Sequence, residues 1–370
     1  MIFCIGKSYG QLEYKGKIID AQNGKVIPYV NIGIIGKGVG TVSDEEGLFH
    51  LEIDPKKYSS NDTLLFSSLG YKTLKKSVPQ LQFVYNEYPE ILMLPEQLSL
   101  KEVVVTDKGS FPVNEMVGYQ NFGEKIYGYW KGNIALGGQL GTSIKVKKGL
   151  RRLNNLFFEV KENPSDSILV RVNIYDEDGN NNAPGTNLNR SNKSILHTIP
   201  AGVNTVNIDL SPNEIFVKND FIVSLELVKI YGTKPIGLVL AAARNRYTDS
   251  YRRYASQASW EKLNDAAMAY SLSTTYYSKK GKGDSKVLKG TRKQKAKELI
   301  SGFVFFNGRQ VSGVKVVNYR TNEETLTDAK GRYTIMADMY DFIGFEYAQG
   351  KQKRNIMILK KRTININLDQ

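Results

Sequence analysis

The chain has 370 residues, 41% hydrophobic and 24% charged, a balance that fits folded globular domains and excludes a disordered chain. No apolar run reaches the roughly 20 residues of a membrane-spanning helix, and the single cysteine, Cys4, excludes an intramolecular disulfide and a cysteine-based zinc site. The 22 Tyr, 15 Phe and 33 Gly, with frequent Val, Ile and Thr, lean to β structure, and a formal charge of +14 raises nucleic acid as a partner to be weighed.

Residues 1–11, M-I-F-C-I-G-K-S-Y-G-Q, hold a short apolar piece followed by small and polar residues. They read as the remnant of a secretory signal peptide whose basic start and most of whose apolar core lie upstream of the assigned start, which predicts export to the cell envelope. A strand is expected over 14–20, a turn at Asn23-Gly24, and a second strand over 29–35 after Pro28. The stretch T-V-S-D-E-E-G-L-F-H-L, Thr41 to Leu51, then reads as a tight turn feeding a strand over 48–53. There the Asp44 carboxylate can accept from backbone N–H groups ahead of it, and Gly47 can take the positive φ that closes the turn. Further strands are expected over 64–69, 71–74 and 91–94, with Gly70 at a turn. The same device returns in T-L-T-D-A-K-G-R-Y-T-I, Thr325 to Ile335: Asp328 and Gly331 repeat Asp44 and Gly47, and Tyr333 repeats Phe49. The chain therefore contains an internal duplication, and these two acids are expected to close turns rather than to bind a ligand.

The order G-K-I-I-D, then I-P-Y-V-N-I, then G-T-V-S-D-E-E-G-L-F-H-L, then F-S-S-L-G-Y-K-T resembles the carboxypeptidase-regulatory-like domain over residues 12–95. The positions that carry the likeness are Gly16, Pro28, Val30, Ile32, Thr41, Asp44, Gly47, Phe49, Gly70 and Tyr71. Residues 298–370 resemble a second, degenerate copy, in which Gly302, Val314, Val316, Thr325, Asp328, Gly331 and Tyr333 match Gly16, Val30, Ile32, Thr41, Asp44, Gly47 and Phe49, and Ser312 stands in place of Pro28. The resemblance implies a transthyretin-like Greek-key sandwich of the kind found in cell-envelope proteins of the Bacteroidota, and no peptidase residues. The connector, 96–115, includes L-S-L-K-E-V-V-V-T, which is similar to the segment that follows this domain in TonB-dependent outer-membrane receptors. Val103, Val104 and Val105 are the candidate residues for adding a strand to a partner's sheet edge. The remaining chain is too short for a 22-stranded barrel, so a membrane-spanning role is not expected.

Residues 116–278 show strand candidates over 143–147, 156–160, 168–175, 205–210, 221–228, 236–241 and 271–277, with period-2 alternation in V-R-V-N-I-Y and V-N-I-D-L. They predict a larger, jelly-roll-like β-sandwich. Its loop D-E-D-G-N-N-N-A-P-G and the phrase A-S-W-E-K-L resemble carbohydrate-binding and galactose-binding-like sandwiches. Residues 279–297 form a basic linker of nine Lys or Arg against one Asp, so +8 of the +14 sits in this one piece. Without interleaved aromatics it disfavours nucleic acid; it reads as a solvated spacer, or as a contact for anionic lipid head groups. The expected fold is thus all-β, two small transthyretin-like sandwiches flanking a larger one.

No arrangement of acid, base and nucleophile stands out. The two histidines, His50 and His197, lack a G-x-S-x-G nucleophile or a helical His pair, so no catalytic residue and no enzyme activity is expected. Asp176, Asp178 and Asn180 have the alternate spacing of a Ca²⁺ loop, but Asn181 and Asn187 break the EF-hand pattern, and a polar hairpin tip is the competing reading. Arg246, Tyr247, Tyr251, Arg252, Tyr254 and Trp260 form the candidate ligand surface, with rings to stack on sugars and guanidinium groups to reach hydroxyls or carboxylates. Cross-strand packing of the same residues on one another is the alternative. The function expected is a non-catalytic scaffold or accessory subunit that binds outer-membrane or periplasmic proteins. A carbohydrate- or peptidoglycan-binding protein and a hydrolase with unrecognised acids are the rivals.

Overall fold

The Asp44 turn is the local device from which the first sandwich is built in the computed structural model. It describes residues 12–54, 58–59, 61–77, 88–96, 110–121, 123–130, 135–234, 236–244, 248–264, 266–279, 298–338, 341–348, 350–358 and 363–369. Asp44 Oδ1 accepts from the N–H groups of Glu46 (3.0 Å) and Leu48 (2.8 Å), and Gly47 sits at φ +73°. This geometry turns the chain into strand Leu48–Ile53, which pairs with Leu12–Asp20 so that Phe49 lies opposite Gly16. A residue larger than glycine at 16 would meet the Phe49 ring, so the pair lets the aromatic side chain lie flat across the core. Phe49 is buried between Tyr14 (5.5 Å between centroids) and Phe66 (5.8 Å).

Two sheets enclose that core. Leu12–Asp20 lies between Leu48–Ile53 and Glu90–Met93, the latter in parallel; the other sheet runs Val39–Val42, Asn31–Ile34, Thr63–Ser67, Leu74–Ser77. Residues 298–367 repeat this order. Glu298–Phe306 lies between Arg332–Ala337 and the parallel Ile366–Asn367, and the second sheet runs Glu323–Leu326, Lys315–Asn318, Phe342–Tyr347, Gln352–Met357. The register repeats as well: Gly302 faces Tyr333 as Gly16 faces Phe49, and Val316 faces Thr325 as Ile32 faces Thr41. Asp328 Oδ1 accepts from Lys330 and Arg332 N–H, both at 2.9 Å, with Gly331 at φ +70°.

Between these units stands a larger sandwich. Its six-stranded sheet runs Ile195–Pro200, Ser167–Tyr175, Phe221–Tyr231, Gln139–Ile144, Ser250–Arg253, Glu261–Leu263, and an eight-stranded sheet centred on Arg151–Glu162 closes over it. Alternate residues of the two sheets (Val170, Val172, Leu225, Leu240, Phe158, Leu272) and Trp130 fill one core. The connector expected to reach residue 115 is shorter than the sequence indicated, because strand Phe111–Gly118 already pairs with Ser271–Ser278. Pro112, Asn114 and Glu115 had broken its alternation. In the first sandwich the strand expected over 29–35 begins only at Asn31, since Tyr29 takes φ +56°.

Both small sandwiches turn the outer face of their four-stranded sheet to the middle one. The first presents Asn31, Gly33, Gly40 and Val42 to the six-stranded side. The second presents Tyr319, Phe342 and Met357 to Phe157 and Met116 on the eight-stranded side, with Phe342 stacked on Phe157 at 4.6 Å. Among the described residues no helix is long and apolar enough to cross a membrane.

Replacing Asp44 with Ala should lower the stability of the first sandwich by about 1 kcal/mol, the scale of exposed hydrogen bonds to a carboxylate. Glu46→Ala at the same turn should stay within about 0.5 kcal/mol. Thermal unfolding followed by circular dichroism compares the two; equal midpoints would show that the turn closes without its carboxylate.

Candidate functional site at the joint of the first two sandwiches

The residues singled out in the sequence are mostly occupied with one another. Asp178 holds Thr186 through both carboxylate oxygens, accepting from its N–H (2.7 Å) and its hydroxyl (2.6 Å), and these bonds keep the carboxyl below the usual carboxylate range. Asp176 Oδ1 accepts from the Glu177 N–H (2.9 Å), and Asn180 stands in a short 3₁₀ turn. The described part of the chain contains no group of three or more His, Cys, Asp or Glu side chains able to hold a metal. His50 is exposed beside Glu13 (3.7 Å), and His197 is half-buried with its pKa lowered by desolvation. Arg246 and Tyr247, the stretch Val103, Val104 and Val105, and the linker beyond Lys279 lie outside the described residues.

Tyr251 is not on an exposed surface in this arrangement. It is buried, its neighbours on the sheet being Gly141 and Lys262, and burial with the nearby Asp249 and Glu177 pushes its phenol up to about 12. Arg252 lies over the Tyr254 ring (4.3 Å) and pairs with Glu261 (3.3 Å). Arg253 lies over Trp260 (4.7 Å), whose ring also meets Tyr175 edge-on (6.1 Å). The aromatic and cationic side chains thus stack on each other as cross-strand neighbours do.

A different set of residues converges. On the outer face of the six-stranded sheet, Arg171, Glu226, Gln139 and Arg253 stand opposite one another on four adjacent strands. Glu226 Oε1 accepts from Arg171 Nη1 (3.0 Å), and Oε2 accepts from Asn173 Nδ2 (2.8 Å) and Gln139 Nε2 (3.1 Å). Gln139 Oε1 in turn accepts from the hydroxyls of Ser224 (2.9 Å) and Tyr175 (3.3 Å). Glu226 and Gln139 are each only 1% exposed, although they sit on the face turned away from the sandwich core.

The first sandwich covers one end of this row. Arg171 Nη2 donates to the Tyr29 carbonyl, which the positive φ of Tyr29 helps to aim. Val42 and Tyr29 close an apolar patch with Leu169, Val228, Leu136 and Tyr231. Ser256 then enters a notch in the first sandwich: Gly33 and Gly40 face each other there, and a Cβ on either would run into the Ser256 carbonyl. Ser256 Oγ reaches Asn31 Oδ1 (3.1 Å), Gln257 Nε2 donates to Ser67 Oγ (2.8 Å), and Gly36 N–H donates to the Gln257 carbonyl (2.9 Å). At the rim Glu45, the residue after the turn carboxylate, pairs with Lys229, whose hydrogen bond lowers the Glu45 pKa.

None of these residues was legible as a site. V-R-V-N-I-Y places Arg171, Asn173 and Tyr175 on one face, and S-L-E-L places Ser224 and Glu226 on one face, but alternation reads such positions as solvent-facing. The paired glycines of N-I-G-I and V-G-T-V were the only mark of a close approach.

Residues 14–105 match the family model of the CarboxypepD_reg-like domain, a span that takes in the first sandwich and the Val103–Val105 stretch. No curated protein sequence matches the chain. Among solved structures, it is similar to BcpA, the major pilin subunit of Bacillus cereus, at 9% identity and a TM-score of 0.17 over 97% of this chain and 98% of that one. The T6 backbone pilin of serotype M6 Streptococcus pyogenes aligns at 9% identity and a TM-score of 0.15 over 95% and 81%. The major pilin SpaD of Corynebacterium diphtheriae aligns at 8% and 0.15 over 97% and 96%. At scores this low the likeness carries nothing about assembly or ligand.

Removing Arg171 alone would strand the buried Glu226 carboxylate. Arg171→Met should therefore cost about 3–5 kcal/mol, and Arg171→Met with Glu226→Met should recover most of it. Urea unfolding of both variants decides; a double variant as unstable as the single one would show that the two charges are not coupled.

Proposed function

We propose that the chain is a non-catalytic β-sandwich scaffold of the cell envelope, one that holds its small sandwiches in set orientations and offers their outer faces to outer-membrane or periplasmic proteins. The observation that carries this reading is the joint. Docking through a glycine notch, the Gly36–Gln257 backbone hydrogen bond and the Arg171 contact to the Tyr29 carbonyl leaves the first sandwich little freedom to swing. An enzyme lid or a loosely tethered module would be joined by fewer and more exposed contacts. The chemistry at the joint agrees, because Glu226, Gln139 and Asn173 are engaged in positioning and, among the described residues there, no nucleophile lies against a base.

The CarboxypepD_reg-like match over residues 14–105 supports the same reading for the first sandwich. Exposed apolar side chains on the outward sheet of that unit, Leu92 and Leu94 at 56% and 54%, give a partner something to bury.

The test joins location to contact. Expressed from its full reading frame with a photo-crosslinking residue at Leu92 or Leu94, the chain should fractionate with the envelope and form one stoichiometric protein adduct. The purified chain should turn over no peptide, ester or glycoside substrate. A cytosolic location, or measurable turnover, would defeat the proposal.

A further inference from the structure

The polar row under the joint is more than stability requires. A sheet face covered by a second layer is ordinarily apolar, and replacing buried charges by well-packed apolar groups is often neutral or stabilising. Here Arg171, Glu226, Gln139, Asn173 and Ser224 are buried together on one face. Three of the polar atoms on this face, Arg171 Nε, Arg253 Nε and the Tyr251 hydroxyl, are buried without a hydrogen-bond partner among the described residues. Atoms of this kind recur elsewhere, at Arg151, Arg152 and Arg252 among others, and what marks this face is that three of them share it.

Their chemistry is one-sided. Two are guanidinium N–H donors, the third is a hydroxyl, and the row carries two guanidinium groups against one carboxylate. What would complete the row is an acceptor with a negative charge. Trp260 and Tyr175 stand beside Arg253 with their rings edge-to-face, which sets apolar ring surface next to the donors. The Tyr29 carbonyl already occupies Arg171 Nη2, a neutral oxygen where a charged one would bind more strongly. Tyr29 does so from a left-handed backbone conformation that a large residue seldom adopts.

We propose that this row is a binding site for an acidic sugar, a ring with a carboxylate and flanking hydroxyls, and that the docked first sandwich occludes its Arg171 end. The carboxylate goes to Arg171 and Arg253, the hydroxyls to Asn173 and Tyr251, and the ring lies toward Trp260 and Tyr175. The cover is held by contacts that can be broken without entering a core: the Glu45–Lys229 pair at the rim and the fit of Ser256 against Gly33 and Gly40. Displacing the first sandwich frees Arg171 and uncovers the row end that Val42 and Tyr29 now close. This site lies apart from the outward face invoked for a protein partner, so the two readings stand or fall separately.

Two full-length variants test it, E45R, which alters only the exposed pair, and G33V/G40V, which fills the notch. Small-angle scattering reports whether the first sandwich has moved, and calorimetric titration with trigalacturonate, against neutral maltotriose, reports binding. In a displaced variant trigalacturonate should bind at least ten-fold more tightly than in the unaltered chain and ten-fold more tightly than maltotriose, and R253Q added to that displaced variant, which leaves the Arg171–Glu226 pair intact, should abolish that gain. A displaced variant without the gain overturns the site, and equal binding of maltotriose overturns the acidic ligand. If neither variant displaces the sandwich, or if the unaltered chain binds as tightly, occlusion is overturned. Should G33V/G40V fail to fold, G40A, whose single methyl meets the Ser256 carbonyl, takes its place.

Discussion

Between the Gly33–Gly40 pair and the Ser256 carbonyl there is no room for a side chain, and the placement of the first sandwich follows from that approach. Once Ser256 is seated, Gln257 lies within reach of Ser67 and Gly36, Tyr29 lies over Arg171, and Glu45 lies at Lys229. Each of these later contacts is modest alone, and an exposed ion pair in particular contributes little. Their value is joint: backbone shape sets the position, and the polar groups select one orientation within it.

The two copies of the small sandwich show what divergence did with one scaffold. The Gly33–Gly40 pair of the first copy is Val317–Glu324 in the second, and Glu45 is Ala329. The second copy therefore has neither notch nor rim carboxylate, and it docks by stacking Phe342 and Tyr319 on Phe157. The same sheet face is turned inward in both, against opposite sides of the middle unit. The polar joint and the apolar one should differ in response to salt, since screening acts on exposed charge and hardly on stacked rings.

How much the sequence disclosed can be traced to particular residues. The Asp44 and Asp328 turns were legible because a turn is local: a carboxylate, a glycine and an aromatic at fixed spacing suffice to specify it, and the duplication followed. The middle strands were legible from alternation, apart from Phe111–Gly118, where Pro112 and two polar residues hide the period. The joint was not legible. Arg171 and Glu226 are polar positions on alternating strands, and one-dimensional pattern cannot tell a solvent layer from a protein layer above them. The packing of Tyr251 and Trp260 was hidden for a related reason, since an aromatic-rich stretch has the same composition whether it faces solvent or folds onto its own arginines.

In each small sandwich the first strand is completed by the last. Leu12–Asp20 pairs in parallel with Glu90–Met93, and Glu298–Phe306 with Ile366–Asn367. A parallel edge cannot be made by a hairpin, so neither unit can close until its final strand has been synthesised. On the ribosome the opening strand of each unit must wait for some 60 to 70 further residues with one edge unpaired, a span set by the loop that closure must bridge. The architecture thus ties completion of each sandwich to the emergence of its end, and makes that interval the one in which the chain is most exposed to wrong partners.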